Sequence, residues 1–279
     1  MSRPHPQPHP LALFSLQPCN PRACEVVAHP NNSHLVSILP SGQLGLDVGF
    51  NIHSKLSGAL ATLGGNDTDI FVHDSSIEKI LCSFEINQET GVIMLYDRSR
   101  GQSTQVSGAN ATPFASGRLR QIVVQQNLNT IIGMGCGGPD LVSFELMWHQ
   151  DPVQTMKKVK NKESVVCGHG ETPRLAPTEP PSTPGQQSLE MRYVMIGSPL
   201  GSGAFGTVYR SVDLDTGKLM AVKILKRPTG RTEDERQRKV SDFYRLLNRE
   251  VEALTRINHV SRSANVFHSH ELIQLAAYC

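Results

Sequence analysis

The chain has 279 residues, room for about two domains at roughly 100–200 residues each, and carries 38% hydrophobic and 19% charged residues with 18 prolines and 23 glycines. A formal charge of +2 argues against partners held by bulk electrostatics, nucleic acid and anionic membrane alike, and no apolar run reaches the ~20 residues that span a bilayer. The six cysteines, at 19, 24, 82, 136, 167 and 279, include no Cys-x-x-Cys pair; that spacing excludes a zinc site and reads as free thiols in a reducing compartment, cytoplasm or nucleus.

Residues 1–12 form a Pro/His-rich tail, expected to be disordered. Residues 13–149 read as all-β. Short β-rich runs occur at His34–Leu39, Gly45–Ile52, Asp69–His73, Cys82–Ile86, Val92–Tyr96, Gln121–Val124, Asn129–Gly133 and Leu141–Trp148. Turn signals such as Pro40-Ser41-Gly42, Glu89-Thr90-Gly91 and Gly135–Pro139 separate them, and no long helical period appears. Strands this short at this spacing predict a β-sandwich. Residues 150–190 hold a small basic run and a Pro/Ser/Thr-rich stretch that cannot build a core, so they read as a disordered linker.

From residue 191 to 279 the pattern changes. Strands are expected at Tyr193–Leu200, Thr207–Asp213 and Leu219–Lys226, the last two joined through Asp215-Thr216-Gly217 as a hairpin. A helix over Glu235–Ile257 follows, because Val240, Phe243, Tyr244, Leu247, Val251 and Leu254 recur at helical spacing. Leu272–Tyr278 reads as a further strand, with Val260–Glu271, including His268 and His270, as an insertion before it.

The strongest constellation is Leu200-Gly-Ser-Gly-Ala-Phe-Gly-Thr-Val208 followed by Met220-Ala-Val-Lys223. In dinucleotide folds a GxGxxG run opens a helix; here a strand follows, which suits a β-hairpin flap over phosphates. Gly201, Gly203 and Gly206 let backbone amides approach anionic oxygens, and Phe205 sits at the tip. Val208 leaves the loop where it could meet a flat base. Ala221, small enough to make room for that base, alternates with Lys223, whose ammonium belongs near phosphate. Glu250 lies three residues after Leu247 and four before Leu254, on the apolar side of the helix. A carboxylate there needs a partner, and Lys223 is the natural one. Glu252 points elsewhere.

This order of motifs resembles the N-terminal lobe of eukaryotic Ser/Thr protein kinases over about Tyr193–His259. The resemblance implies an α+β lobe, a β-sheet with its αC helix, that binds ATP through Leu200, Gly201, Gly203, Gly206, Val208, Ala221 and Lys223, with Glu250 positioning the lysine. It also implies Ser/Thr phosphoryl transfer to protein substrates, with Mg²⁺ in a complete kinase. The His-Arg-Asp and Asp-Phe-Gly motifs that the family needs for its base and its metal do not follow Glu250, so the lobe reads as incomplete, with no catalytic base or metal ligand assigned.

The preceding segment resembles a forkhead-associated (FHA) domain, a sandwich that binds phosphothreonine peptides. Leu63-Gly-Gly-Asn-Asp-Thr-Asp-Ile70, Cys82-Ser-Phe-Glu-Ile86, Asp97-Arg-Ser-Arg-Gly101 and Asn129-Thr-Ile-Ile-Gly133 carry the likeness. Together the two halves resemble a fungal-type FHA-domain-containing Ser/Thr protein kinase. The phosphate-binding side chains depart from the pattern: the family's Arg falls on Gly65, its Ser on Glu78, its structural His on Leu81 and its Asn on Arg100, while Gly101 is kept. Arg98 or Arg100 could compensate in part. The alternative is therefore a non-catalytic FHA-like module for protein or phosphopeptide partners beside a vestigial kinase lobe. Trp148 reads as core rather than as a ligand platform.

Overall fold

A computed structural model describes residues 4–72, 79–135, 141–166, 192–203, 206–226, 231–256, 264–268 and 273–278; for 161–166, 250, 251, 253–256, 264–268 and 273–278 the description is of the backbone alone. The chain divides into two compact units, one over Met1–Thr183 and one built on Pro184–Leu214 and Lys218–Cys279.

In the first unit the alternating runs form β1 (Ala12–Pro18), β2 (Val36–Ile38), β3 (Leu44–Gly49), β4 (Ala59–Gly64), β5 (Ile70–Phe71), β6 (Ile80–Ile86), β7 (Ile93–Asp97), β8 (Thr104–Ser107), β9 (Gln121–Val124), β10 (Ile131–Met134) and β11 (Val142–Trp148). They make two sheets, ordered β2-β3-β1-β11-β10-β8 and β5-β4-β6-β7-β9. All pairs are antiparallel except β4 with β5. The period-two alternation of strands sends Phe14 and Leu16 of β1 inward with Leu46, Val48, Phe144 and Leu146, where they share one core with Phe84, Leu95 and Ile122 of the other sheet. Phe14 sits at its centre, its ring 5.0 Å from those of both Phe84 and Trp148. Trp148, partly buried, thus packs against the core.

Sequence reading misses β1, β4 and β8, whose Ala, Ser and Gly content dilutes the β signal. It also misses a helix, α1 (Pro21–Ala28), because eight residues are too few to display a period. Local chemistry builds that helix instead: the Asn20 side chain accepts from Ala23 N at 2.9 Å, and Pro21 occupies the first helical position. His34 and Leu35 belong to a 3-10 turn, Pro30–Leu35, rather than to the strand expected there.

Parts of two segments expected to be disordered, residues 4–12 and 150–166, are ordered. In the N-terminal tail His5 pairs in parallel with Ser37 on the outer side of β2, donating to Val36 O and accepting from Ile38 N, each at 3.0 Å. The reason lies in Asp47, a carboxylate only 1% exposed on the outer face of the sheet. It takes hydrogen bonds from Ser15 Oγ (2.6 Å), Ser37 Oγ (2.7 Å) and the backbone N–H of His9 (2.7 Å). A buried carboxylate needs such donors, and the tail supplies one. In the expected linker, Pro152–Val166 is a helix, α2. Asp151 caps it, accepting from Gln154 N at 2.8 Å. Met156 packs on the sandwich core, and Val153 fills the space above Gly91.

Among the described residues of the second unit, β12 (Tyr193–Met195), β13 (Gly201–Ser202), β14 (Gly206–Asp213), β15 (Leu219–Leu225), β16 (Ala264–His268) and β17 (Ile273–Tyr278) accompany one helix, α3 (Glu233–Arg256). The sheet runs β12-β14-β15-β17-β16, with β13 also on β14. The strand expected over Tyr193–Leu200 is split: Gly197 sits at φ +71 and Pro199 offers no N–H, so the ladder stops and restarts. Of the strand expected over Leu272–Tyr278, Ile273–Tyr278 is present as β17 and pairs with β15. Within the stretch read as an insertion, β16 pairs antiparallel with β17; the side chain of His268 and all of His270 lie outside the described residues.

α3 starts where the capping chemistry places it. Thr232 Oγ1 accepts from Glu235 N at 3.2 Å, and the Glu235 carboxylate accepts from Arg231 N at 3.0 Å. Glu235 also pairs with Lys239 one turn on, at 2.7 Å; that partner, with the Arg231 amide, holds its carboxyl below the usual range. Leu247 is the buried anchor of the helix, 5% exposed.

Candidate functional site

The glycine-rich run folds as the expected hairpin. β13 and β14 pair through Gly201 with Val208 and Ser202 with Thr207, and Leu200 N donates to Val208 O at 2.8 Å. Gly203 N closes the tip on Gly206 O at 2.9 Å. Ala204 and Phe205, between them, lie outside the described residues. The three glycines differ in surroundings. A Cβ on Gly206 would stand 2.3 Å from the backbone oxygen of Ile224, so the approach of β14 to β15 requires glycine there. Around Gly201 and Gly203 a Cβ would meet nothing within 4 Å, so the space beside both is open. Leu200, 65% exposed, stands at the mouth of the hairpin.

Register brings the remaining candidates together. Val208 is paired with Lys223, and Arg210 with Ala221, across β14 and β15. Paired residues share a face, and so do residues two apart on a strand. Val208, Ala221 and Lys223 therefore occupy one side of the sheet, while Met220 and Val222 are buried on the other, packed with Tyr193 and Ile224. Lys223 is half-buried. Glu250 lies on α3, as expected, but its side chain lies outside the described residues.

Sequence reading overlooked Lys226. Its Nζ donates to the carbonyl of Gly203 at 3.2 Å, and Ser202 Oγ meets Thr207 Oγ1 at 3.1 Å across the hairpin. Both contacts hold the flap to the strands beneath it. Their only sequence signal is a cation and a hydroxyl pair beside a glycine run.

At the FHA-like positions of the first unit the chemistry differs from what a phosphate reader needs. Gly65 forms a turn, its carbonyl accepting Thr68 Oγ1 at 2.8 Å, and offers no cation. Leu81 is a core residue. Glu78 lies outside the described residues. The Asp97–Gly101 turn is well built: Asp97 Oδ1 accepts from Ser99 N (3.0 Å) and Ser99 Oγ (2.6 Å). Its other oxygen takes Arg120 Nε at 2.6 Å, and Arg120 reaches on to the carbonyls of Thr104 (2.5 Å) and Gln102 (3.1 Å). Arg120 is the residue missed here, since it follows its partner by 23 positions. Arg98 is engaged on the sheet: it pairs with Glu85, donates to Ser83 Oγ at 2.6 Å and lies over the Tyr96 ring. Arg100 and Gly101 are exposed at the turn. Beside Gly65 a cleft of about 250 Å³ is lined by Asn31, His34, Lys55 and Asp67, among others.

Known proteins resemble part of the chain. No protein-family model matches it. A stretch of 27 residues, 10% of this chain, is 74% identical to MAP kinase kinase kinase win1 of Schizosaccharomyces pombe. A stretch of 57 residues, 19% of this chain, is 42% identical to Serine/threonine-protein kinase ROP18 of Toxoplasma gondii. The chain spans only 2% and 10% of those two relatives. The likeness is to protein kinases, and it is local. A third likeness, to the crystal structure of Rad53 1–466 in complex with AMP-PNP, covers 80% of this chain and 48% of that one at 16% identity and a TM-score of 0.42, which is too loose to argue from.

Proposed function

We propose that the second unit is the nucleotide-holding part of a protein-kinase domain, and that it binds ATP. The observation that carries this reading is the common face of Val208, Ala221 and Lys223 beside a glycine hairpin with open space around Gly201 and Gly203. The local kinase likenesses support it. Backbone N–H groups of the hairpin donate to phosphate oxygens, Lys223 supplies one positive charge to them, and Val208 with Ala221 forms a flat apolar seat for the base. Lys226 ties the tip of the flap to the end of β15 through the Gly203 carbonyl. Glu250 is the proposed partner that orients Lys223. Bound ATP with Mg²⁺ would bring a transferable phosphoryl group; within these residues the part played by protein is binding and orientation. In this reading the chain comes from an FHA-containing Ser/Thr kinase family whose substrates are proteins.

The test is thermal unfolding of the purified full chain with increasing AMP-PNP and Mg²⁺. A ligand at about a hundred times its Kd stabilises by about 2.7 kcal/mol, so a saturable rise in Tm is expected, lost in Lys223→Met. No rise in a parent protein that is folded by circular dichroism would refute the proposal.

For the first unit we propose an interaction module that does not depend on phosphothreonine. The engagement of Arg98 by Glu85 and Ser83 and the absence of a side chain on Gly65 favour this. Selective enrichment of phosphothreonine peptides over their unmodified forms by the chain would overturn it.

A further inference from the structure

We infer that Cys19 and Cys24 form a redox-sensitive dithiol that closes, under mild oxidation, to an intramolecular disulfide at the start of α1. Both thiols are free and exposed, so oxidant can reach them. Their positions are set by the helix cap. Asn20 is the N-cap, and Cys24 N donates to Asn20 O at 3.1 Å as the first intrahelical bond. Cys19 is then the residue before the cap and Cys24 the fourth residue of the helix. Those are the two positions whose side chains pack against each other where a chain enters a capped helix.

Other bonds fix this corner. Cys19 N donates to Ser143 O at 2.9 Å, Asn20 Nδ2 donates to Leu141 O at 2.7 Å, and Pro21 stiffens the first turn. The Cys19 thiol donates to Gln17 O at 3.8 Å, and burial, then the Glu145 carboxylate, hold it above its ordinary pKa.

With hydrogen peroxide the chemistry balances simply. One thiolate attacks a peroxide oxygen and becomes a sulfenic acid, the departing hydroxide taking up a proton to leave as water. The second thiol then displaces the sulfenic hydroxyl as a second water, forming the S–S bond. Two thiols and one peroxide give one disulfide and two waters, and a dithiol reductant reverses the step. The closed ring ties residue 19 to the first turn of α1 and removes freedom from the unfolded chain.

The test uses the full chain exposed to hydrogen peroxide, alkylated and digested with trypsin. Cleavage after Arg22 separates the two cysteines, so the bond is read as two peptides joined by a disulfide. That linked pair is expected in the parent and absent in Cys24→Ser. The oxidised parent should melt a few degrees above the reduced parent, a difference that Cys24→Ser abolishes. Because both side chains are exposed, the serine variant should fold like the parent. Full alkylation of both thiols after oxidation, or a disulfide from Cys19 to any other cysteine, would overturn the inference. Neither result bears on nucleotide binding.

Discussion

Val208 and Lys223 stand directly opposite each other across β14 and β15, so the apolar seat for a base and the cation for its phosphates are fixed by one pair of hydrogen-bonded strands. Anything that disturbs that pairing disturbs both functions at once. Gly206 and Leu225, two residues further along each strand, close the same ladder.

Two glycine substitutions should therefore separate folding from binding. In Gly206→Ala the new methyl meets the Ile224 backbone oxygen, which cannot swing aside; a loss of about 1–3 kcal/mol is expected from the denaturant midpoint. In Gly201→Ala the methyl meets nothing within 4 Å, so stability should change by less than about 0.5 kcal/mol. Its effect should appear instead as a weaker AMP-PNP-dependent rise in Tm, because the methyl occupies the surface the phosphates approach.

Asp47→Ala should cost about 2–3 kcal/mol, since it leaves two serine hydroxyls and a backbone N–H without their acceptor. It should also release the N-terminal segment. Limited proteolysis checks this: cleavage within residues 4–11 should be faster in the variant than in the parent at a temperature where both are folded.

His149 gives a pH dependence with a definite sign. Burial lowers its pKa from the ordinary 6.5, and the nearby Asp47 opposes that shift only in part. Nε2 lies 2.7 Å from Ser15 Oγ. The unfolded chain binds the proton more readily, so the contribution of His149 is complete above its ordinary pKa and is lost as pH falls below it. Stability should decline on acidification from neutral, and the decline should be shallower in His149→Gln. A slope identical in the two proteins would contradict the assignment.

Arg120→Ala should be among the most damaging single changes in the first unit. The Asp97 side chain is 0% exposed in its ion pair with Arg120, and removing one partner of a buried pair costs about 3–5 kcal/mol. Arg120→Lys keeps the charge yet loses the fork that reaches Gln102 and Thr104, so urea unfolding should rank it between alanine and the parent.

The second unit was the more legible in sequence. Its glycine spacing, hairpin and Ala-x-Lys alternation are local patterns, and the structure sets Val208, Ala221 and Lys223 on one face as that alternation requires. The run Gln121–Val124 is equally plain, because three consecutive β-branched residues define it. What escaped was non-local. β1 pairs with β11 across more than a hundred residues, and its alternation is disguised by Leu13, apolar and buried next to Phe14. The tail looked unstructured by composition, yet a buried carboxylate 38 residues away recruits His9. α2 arose in an expected linker through Asp151 and Pro152 at its start and two apolar contacts, too few for a period. Arg98 looked available for phosphate until the register of β6 and β7 put Glu85 and Ser83 beside it.

The hydrogen bonds that His5 makes to β2 matter beyond the few residues they order. An outermost strand with unmatched amides is a template on which a second molecule can stack and begin a fibre. By laying its own leading segment along that margin, the chain shields the six-stranded sheet from copies of itself, so loss of that segment would threaten solubility sooner than folding.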